Sequence, residues 1–288
     1  MRRGAADGPA TIDRSRVEAL VRAALGEVKS SRSLDSGGGL LLAPDRGVNL
    51  GEPFDARAMR SLLASTPARI AVGRAGTRYR TNTLLRFRAD HAAARDAVLS
   101  EVDEKLVARL GLVALHSRAA SKTEFLQRPD AGRSLADESR AEVEKRLPRG
   151  ADLLLLYGDG LSASAITAHL EPFHAALVRE LASRGIVIPA GAACFIRHSR
   201  VKIMDEVCRL AEARACVFVC GERPGLGFSD SLSAYYIYRP PSGVPTDADR
   251  EVISNINPRG LDVPKAAIAV AEACARILRE RKSGVVIG

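Results

Sequence analysis

The sequence has no tryptophan, and aromatic residues make up only 4% of its 288 positions. A surface that stacks nucleic-acid bases on successive aromatic rings is therefore poorly supplied. Long apolar runs are missing too. The longest, such as Leu153 to Leu156, are a few residues, far short of the roughly 20 that cross a bilayer, so a membrane is not expected as a partner. Cysteine is absent before Cys194, and Cys208, Cys216, Cys220 and Cys274 complete an odd set with no C-x-x-C pair. That pattern argues against a disulfide framework and reads as reduced core thiols. The five histidines (His91, His116, His169, His174 and His198) are scattered. His169 and His174 share an expected helix about 140° out of phase, so no metal site is expected. The first residues, MRRGAADGPA, carry two arginines without an apolar stretch behind them. They do not read as a secretory signal, and a cytoplasmic address is expected.

What is present is an ordinary globular balance of 46% apolar and 27% charged residues, over a length that suits one large domain or two ordinary ones. The net charge is +9, from 43 basic and 34 acidic residues, and suggests attraction to something anionic. Arginines crowd one stretch, Arg69, Arg74, Arg78, Arg80, Arg86 and Arg88, with Tyr79 and Phe87 between them. They read as a solvated or subunit-facing patch, or else as a nucleic-acid surface. No recognisable nucleic-acid module accompanies them, so nucleic acid is not expected as a partner.

Three regions follow from composition. Residues 1–45 read as a flexible extension. Within it, Ile12 to Val28 places Val17, Leu20, Val21, Ala24, Leu25 and Val28 on one helical stripe, and the run SSRSLDSGGG behind it is a linker. Residues 46–149 read as a smaller, mainly helical domain, with helices near Ala56 to Leu63, Thr81 to Leu99 and Leu135 to Arg146, and a strand-like run at Ile70 to Val72. Pro148-Arg149-Gly150 marks the boundary.

Residues 150–288 alternate strands and helices. Asp152 to Tyr157 is an apolar strand of the buried parallel kind. An amphipathic helix through Ile166, Leu170, Phe173, Leu177 and Leu181 follows, closed by Gly185. Further strands are expected at Ile186 to Ile188, Cys216 to Val219 and Ala234 to Tyr238, with helices at Lys202 to Ala213 and Pro264 to Arg281 and a polar loop before the last. This alternation predicts an α/β fold with a Rossmann-like parallel sheet.

Ligands of such sheets bind at the carboxyl ends of strands, where two glycine-rich loops fall. Gly158-Asp159-Gly160-Leu161-Ser162-Ala163 satisfies G-x-G-x-x-A between a strand and a helix, where glycines admit a ligand and free N–H groups attract phosphate. The acid that a dinucleotide site wants is missing: Glu180 falls inside the helix, and Pro189 and Ala190 stand in its place. Gly221 to Gly227 (GERPGLG) sets Glu222 beside Arg223, a pair that can bind amides and anions side by side. No Ser/His/Asp order, paired carboxylates or P-loop lysine accompany either loop, so the sequence offers a cradle without a catalyst.

Six stretches in order carry a resemblance: Arg69 to Asp96, Arg128 to Arg133 (RPDAGR), Gly158 to Ala168 (GDGLSASAITA), Arg197 to Asp205 (RHSRVKIMD), Gly221 to Leu232 (GERPGLGFSDSL) and Asp249 to Ile256 (DREVISNI). From Arg69 onward the chain resembles the small subunit of ethanolamine ammonia-lyase. The resemblance implies an adenosylcobalamin-dependent enzyme that converts ethanolamine to acetaldehyde and ammonia by a radical route. In that family the chemistry belongs to a large subunit, and the small subunit closes over the cofactor at their interface. It implies cofactor-binding roles for Val201 and Glu222, and for Val252, where the family pattern has cysteine. Cobalamin keeps its own base on cobalt in the family, so no protein histidine ligand is implied. Family members often reside in bacterial microcompartments, and the Ile12 to Val28 helix suits docking to a shell or to other cargo. Two other readings stand beside this one: a nucleotide-binding oxidoreductase using Gly158 and Gly160, and a basic nucleic-acid binder.

Overall fold

The computed structural model describes residues 50–66, 68–239 and 246–284. The Ile12 to Val28 helix and its linker lie outside the described residues. From Ala56 the chain forms helix α1 (Ala56–Ser65), a hairpin of β1 (Arg74–Ala75) and β2 (Arg78–Tyr79), helices α2 (Thr81–Leu99) and α3 (Glu104–Arg109), and strand β3 (Val113–His116). Helices α4 (Lys122–Gln127) and α5 (Asp137–Arg146) lead to β4 (Leu153–Gly158) and α6 (Ala163–Ser183). Then come β5 (Ala193–Arg197), α7 (Ile203–Leu210), β6 (Ala215–Gly221), β7 (Leu232–Tyr238), β8 (Glu251–Ile256) and α8 (Val263–Glu280).

Six strands make one sheet in the order β3-β5-β4-β6-β7-β8. The four from β3 to β6 are parallel. Parallel neighbours need a crossover, and α6 and α7 supply those into β5 and β6. The connection from β6 to β7 contains no helix, so β7 returns antiparallel, and β8 is antiparallel to β7. The expected parallel sheet is thus a mixed one, mainly parallel, with an antiparallel edge.

Every residue of β4 is buried, which explains its unbroken apolar run: helices cover both faces. Leu153, Leu155 and Tyr157 meet Ile166, Leu170 and Phe173 of α6 and Val270, Ala271 and Cys274 of α8. Leu154 and Leu156 point the other way, toward Val143 of α5, Val207 of α7 and Phe218 of β6. The alternation follows from the two-residue period of a strand and gives three layers. Helix α6 starts at Ser162, whose Oγ accepts from Ala165 N, and α8 starts at Asp262, whose carboxylate accepts from Lys265 N. All five cysteines are buried and unpaired, as the sequence suggests.

Several expected elements move. Ile186 to Ile188 is not a strand: Ile186 N caps the end of α6 by bonding Leu181 O, Val187 is 78% exposed, and Pro189 has no N–H for a ladder. The strand lies later, at β5, where Cys194, Phe195 and Ile196 are buried. Ile70 to Val72 is irregular, with Ala71 at φ 57°, and leads into the β1–β2 hairpin instead. β8 occupies the stretch read as a polar loop. β3 falls among residues 46–149, read as mainly helical, yet it pairs with β5 in the main sheet.

Before α3 the chain is lightly packed, whereas Leu106 and Val107 of α3 enter the main core. α1 has no buried residue, and α2 buries only Ala94 and Ala97. Leu62, Tyr79, Leu85 and Phe87 are exposed. Among the described residues no helix is long and apolar enough to cross a membrane.

Candidate functional site

After β4 the chain moves to β5 on one side, and after β6 it moves to β7 on the other. The loops at the carboxyl ends of β4, β5 and β6 gather at this end of the sheet, the end at which ligands of α/β sheets bind. A cleft of about 390 Å³ lies there. Leu161 from the β4 loop, Val201 from the turn after β5, and Glu222 and Arg223 after β6 line it, with Tyr235 of β7 and Ser254 of β8.

The G-x-G-x-x-A glycines serve close packing of the chain on itself. Gly160 has φ +54°, and a Cβ there would lie 2.5 Å from Gly221 O. A Cβ on Gly158 would lie 2.1 Å from Ser199 Oγ. Leu161 N already donates to Gly221 O, and Ser162 N to Asp159 O. The space and several of the N–H groups that a pyrophosphate would need are thus taken by the protein, which removes the basis for the dinucleotide reading. Asp159, fully buried, accepts from Ser199 N at 3.2 Å and faces Lys122 Nζ at 3.5 Å.

The turn after β5 is pinned from several sides. His198 sits at φ 54°, with Nε2 3.0 Å from Glu101 and Nδ1 3.2 Å from Ala119 O. Ser117 Oγ donates to His198 O at 2.7 Å. At Glu101 burial pushes the carboxyl pKa up, but hydrogen bonds from His198 and Arg197 outweigh it and hold the pKa below the ordinary value. This anchoring sets the direction in which Ser199, Arg200 and Val201 leave the sheet.

Glu222 is half-buried, and its Oε1 accepts from Ser233 Oγ at 2.6 Å and from Asn255 N at 2.7 Å. Among the described residues Oε2 has no donor, so one carboxylate oxygen remains available. Asn255 adopts φ 60°, which asparagine tolerates better than most residues. This conformation accounts for the asparagine of the ISN stretch.

Of the three positions singled out by resemblance, Val201 and Glu222 line the cleft. Val252 is not among the lining residues: it is 47% exposed and pairs across the ladder with Tyr235, which does line the cleft. Phe125, Ser199, Arg200, Ser233 and Tyr235 also line the cleft without having been identified from sequence. Arg200 adjoins Val201 in the RVK stretch, which was the available signal; Phe125, 75 residues upstream, had none.

The thiol that lines the cleft is held in its neutral form. Burial, and then the charges of Asp159 and Glu222, push the Cys220 thiol up to about 12, so it stays neutral and unreactive near pH 7. Burial likewise raises the pKa of the Tyr235 phenol. What remains is a mixed surface of apolar groups, hydroxyls, one carboxylate and arginine.

Residues 56–287 match the family described as ethanolamine ammonia-lyase light chain. The ethanolamine ammonia-lyase small subunit of Clostridium acetobutylicum is 40% identical over 227 residues, covering 79% of this chain and 93% of that protein. The small subunit of the same name from Clostridioides difficile is 41% identical over 236 residues, covering 81% of this chain and 78% of that protein. With a match of this extent, the chain belongs to the ethanolamine ammonia-lyase light-chain family.

Proposed function

We propose that this chain is the small subunit of an adenosylcobalamin-dependent ethanolamine ammonia-lyase and forms one wall of the cobalamin site against a catalytic large subunit. The observation that carries the reading is the meeting of Val201 and Glu222, from separate sequence stretches, in one cleft. A corrin ring is edged with methyl groups and amide side chains. Val201 and Leu161 suit the former, and the free Oε2 of Glu222 with Ser233 and Ser254 suits the latter. Val252, opposite Tyr235, needs only to be small and apolar to pack there. Cobalamin is larger than this cleft, so the remainder of the cofactor requires a second surface, which the large subunit provides.

When bound, adenosylcobalamin supplies the radical chemistry by which ethanolamine is converted to acetaldehyde and ammonia. This chain's residues bind and orient the cofactor and help exclude water. The proposed setting is the cytoplasm, with the Ile12 to Val28 segment docking the enzyme to a microcompartment shell or cargo.

Deaminase assays with adenosylcobalamin test the division of labour. Acetaldehyde should form only when this chain is combined with a large subunit. Turnover by this chain alone would overturn the assignment, as would full turnover by the large subunit without it.

A further inference from the structure

One side chain of the cleft is built into place yet left without a counter-charge. Arg200 N donates to Gly132 O at 2.8 Å, and the arginine stem packs where a Cβ on Gly132 would stand 3.1 Å from Arg200 Cγ. The guanidinium lies 4.6 Å over the Phe125 ring and donates through Nη2 to Phe125 O at 2.9 Å. Its Nε is buried and has no hydrogen-bond partner. The RPDAGR and RVK stretches therefore meet to fix one guanidinium at the cleft wall.

Its charged neighbours have its own sign. Burial first, and then the charges of Arg133 and Arg223, lower the Arg200 pKa from the usual arginine value. Among the described residues none of these three arginines is within ion-pair distance of a carboxylate, and of the three only Arg200 is held in place by the Phe125 ring and carbonyl. Arg223 also lines the cleft. Bringing like charges together without an acid is unfavourable unless an anion completes the site. A rigid guanidinium fork suits phosphate oxygens in particular.

We infer that Arg200, assisted by Arg223 and Arg133, is a phosphate-binding subsite that takes the phosphodiester of cobalamin, the anionic group joining a corrin side chain to the ribose of the nucleotide. The inference rests on the cobalamin reading and extends it from neutral amides to a charged contact. It assigns Glu222 and Arg200 opposite tasks in one cleft: the carboxylate accepts from amide N–H groups, and the guanidinium donates to phosphate.

The test is equilibrium binding of cobinamide phosphate and of cobinamide, which lacks the phosphate, to the complex of this chain with its large subunit. The unsubstituted complex should bind cobinamide phosphate more tightly. Arg200→Gln should weaken cobinamide phosphate by about tenfold, equivalent to about 1.4 kcal/mol, and leave cobinamide unchanged. Arg223→Gln, on an exposed loop where folding is not at risk, should show a smaller loss of the same selectivity. Equal weakening of both ligands by Arg200→Gln would mean a structural role and overturn the subsite. Equal affinity of the unsubstituted complex for both ligands would overturn it while leaving the cobalamin reading intact. If adenosylcobalamin itself does not bind that complex, the cobalamin reading fails and the subsite falls with it; if it binds and neither cobinamide does, the subsite alone is overturned. A complex whose selectivity is abolished by inorganic phosphate alone, at concentrations well below those needed to screen charge, would assign the subsite to free phosphate.

Discussion

The carboxylate of Glu222, on the loop that leaves β6, accepts a hydrogen bond at 2.7 Å from the backbone N–H of Asn255, near the end of β8. The two residues are 33 positions apart in sequence and belong to strands separated by β7. This bond ties the GERPGLG stretch to the ISN stretch, so neither contributes to the cleft independently.

Glu222→Ala should therefore act twice. Asn255 N–H and Ser233 Oγ lose their acceptor, which costs on the order of 1 to 3 kcal/mol for a part-buried donor. Cofactor affinity of the two-subunit complex should fall by a comparable amount, while Glu222→Gln, which keeps a carbonyl acceptor, should lose less. Denaturant midpoints measure the first effect and corrinoid titration the second. An unchanged affinity in the alanine variant would rule out a direct contact.

Val252→Cys installs the cysteine that the resemblance implies for this position. At a half-exposed position two small apolar side chains differ little in burial energy, so corrinoid affinity should stay within a few fold. A gain above roughly tenfold, about 1.4 kcal/mol, would show that sulfur itself makes a contact.

Gly160→Ala places a Cβ against Gly221 O at a left-handed backbone position. The backbone strain and the displaced loop should lower stability by about 2 to 4 kcal/mol. Gly227→Ala is the control, since a Cβ there meets nothing within 4 Å, and its effect should stay within about 0.5 kcal/mol. Urea unfolding of the two variants compares them; equal stability would mean that the Gly160 loop relaxes freely.

Acid should loosen the turn that presents Arg200 and Val201. The Glu101 carboxyl has a folded pKa below its ordinary 4.5, so its stabilising contribution is fully present above about pH 4.5 and is lost as pH falls through the lower folded value. Glu101→Gln should destabilise the chain near pH 6, and its gap from the unsubstituted protein should narrow as pH falls below about 4.5. Midpoints measured across that range decide it, and a constant gap would exclude ionic stabilisation at Glu101.

Continuous apolar runs made β4 and β6 readable because both are covered on both faces, and helical periodicity did the same for α6 and α8. β3 and β8 escaped because they are edge strands of alternating burial, and such short patterns gain their order from a neighbour far along the chain. β5 was displaced by the more obviously apolar Ile186 to Ile188, which Pro189 keeps out of the ladder.

The sequence by itself determined the α/β class and the motifs that announce the family, since these depend on local period and residue type. Only the tertiary structure decided that the sheet turns antiparallel at β7, and that Gly158 and Gly160 are spent on packing against Ser199 and Gly221. It alone carries Phe125 beneath Arg200 and Asn255 onto Glu222. The physical reason is that a binding cleft is made of contacts between segments tens of residues apart. Their geometry is set by strand order and by the pinned turn after β5, and no local pattern in the chain records either.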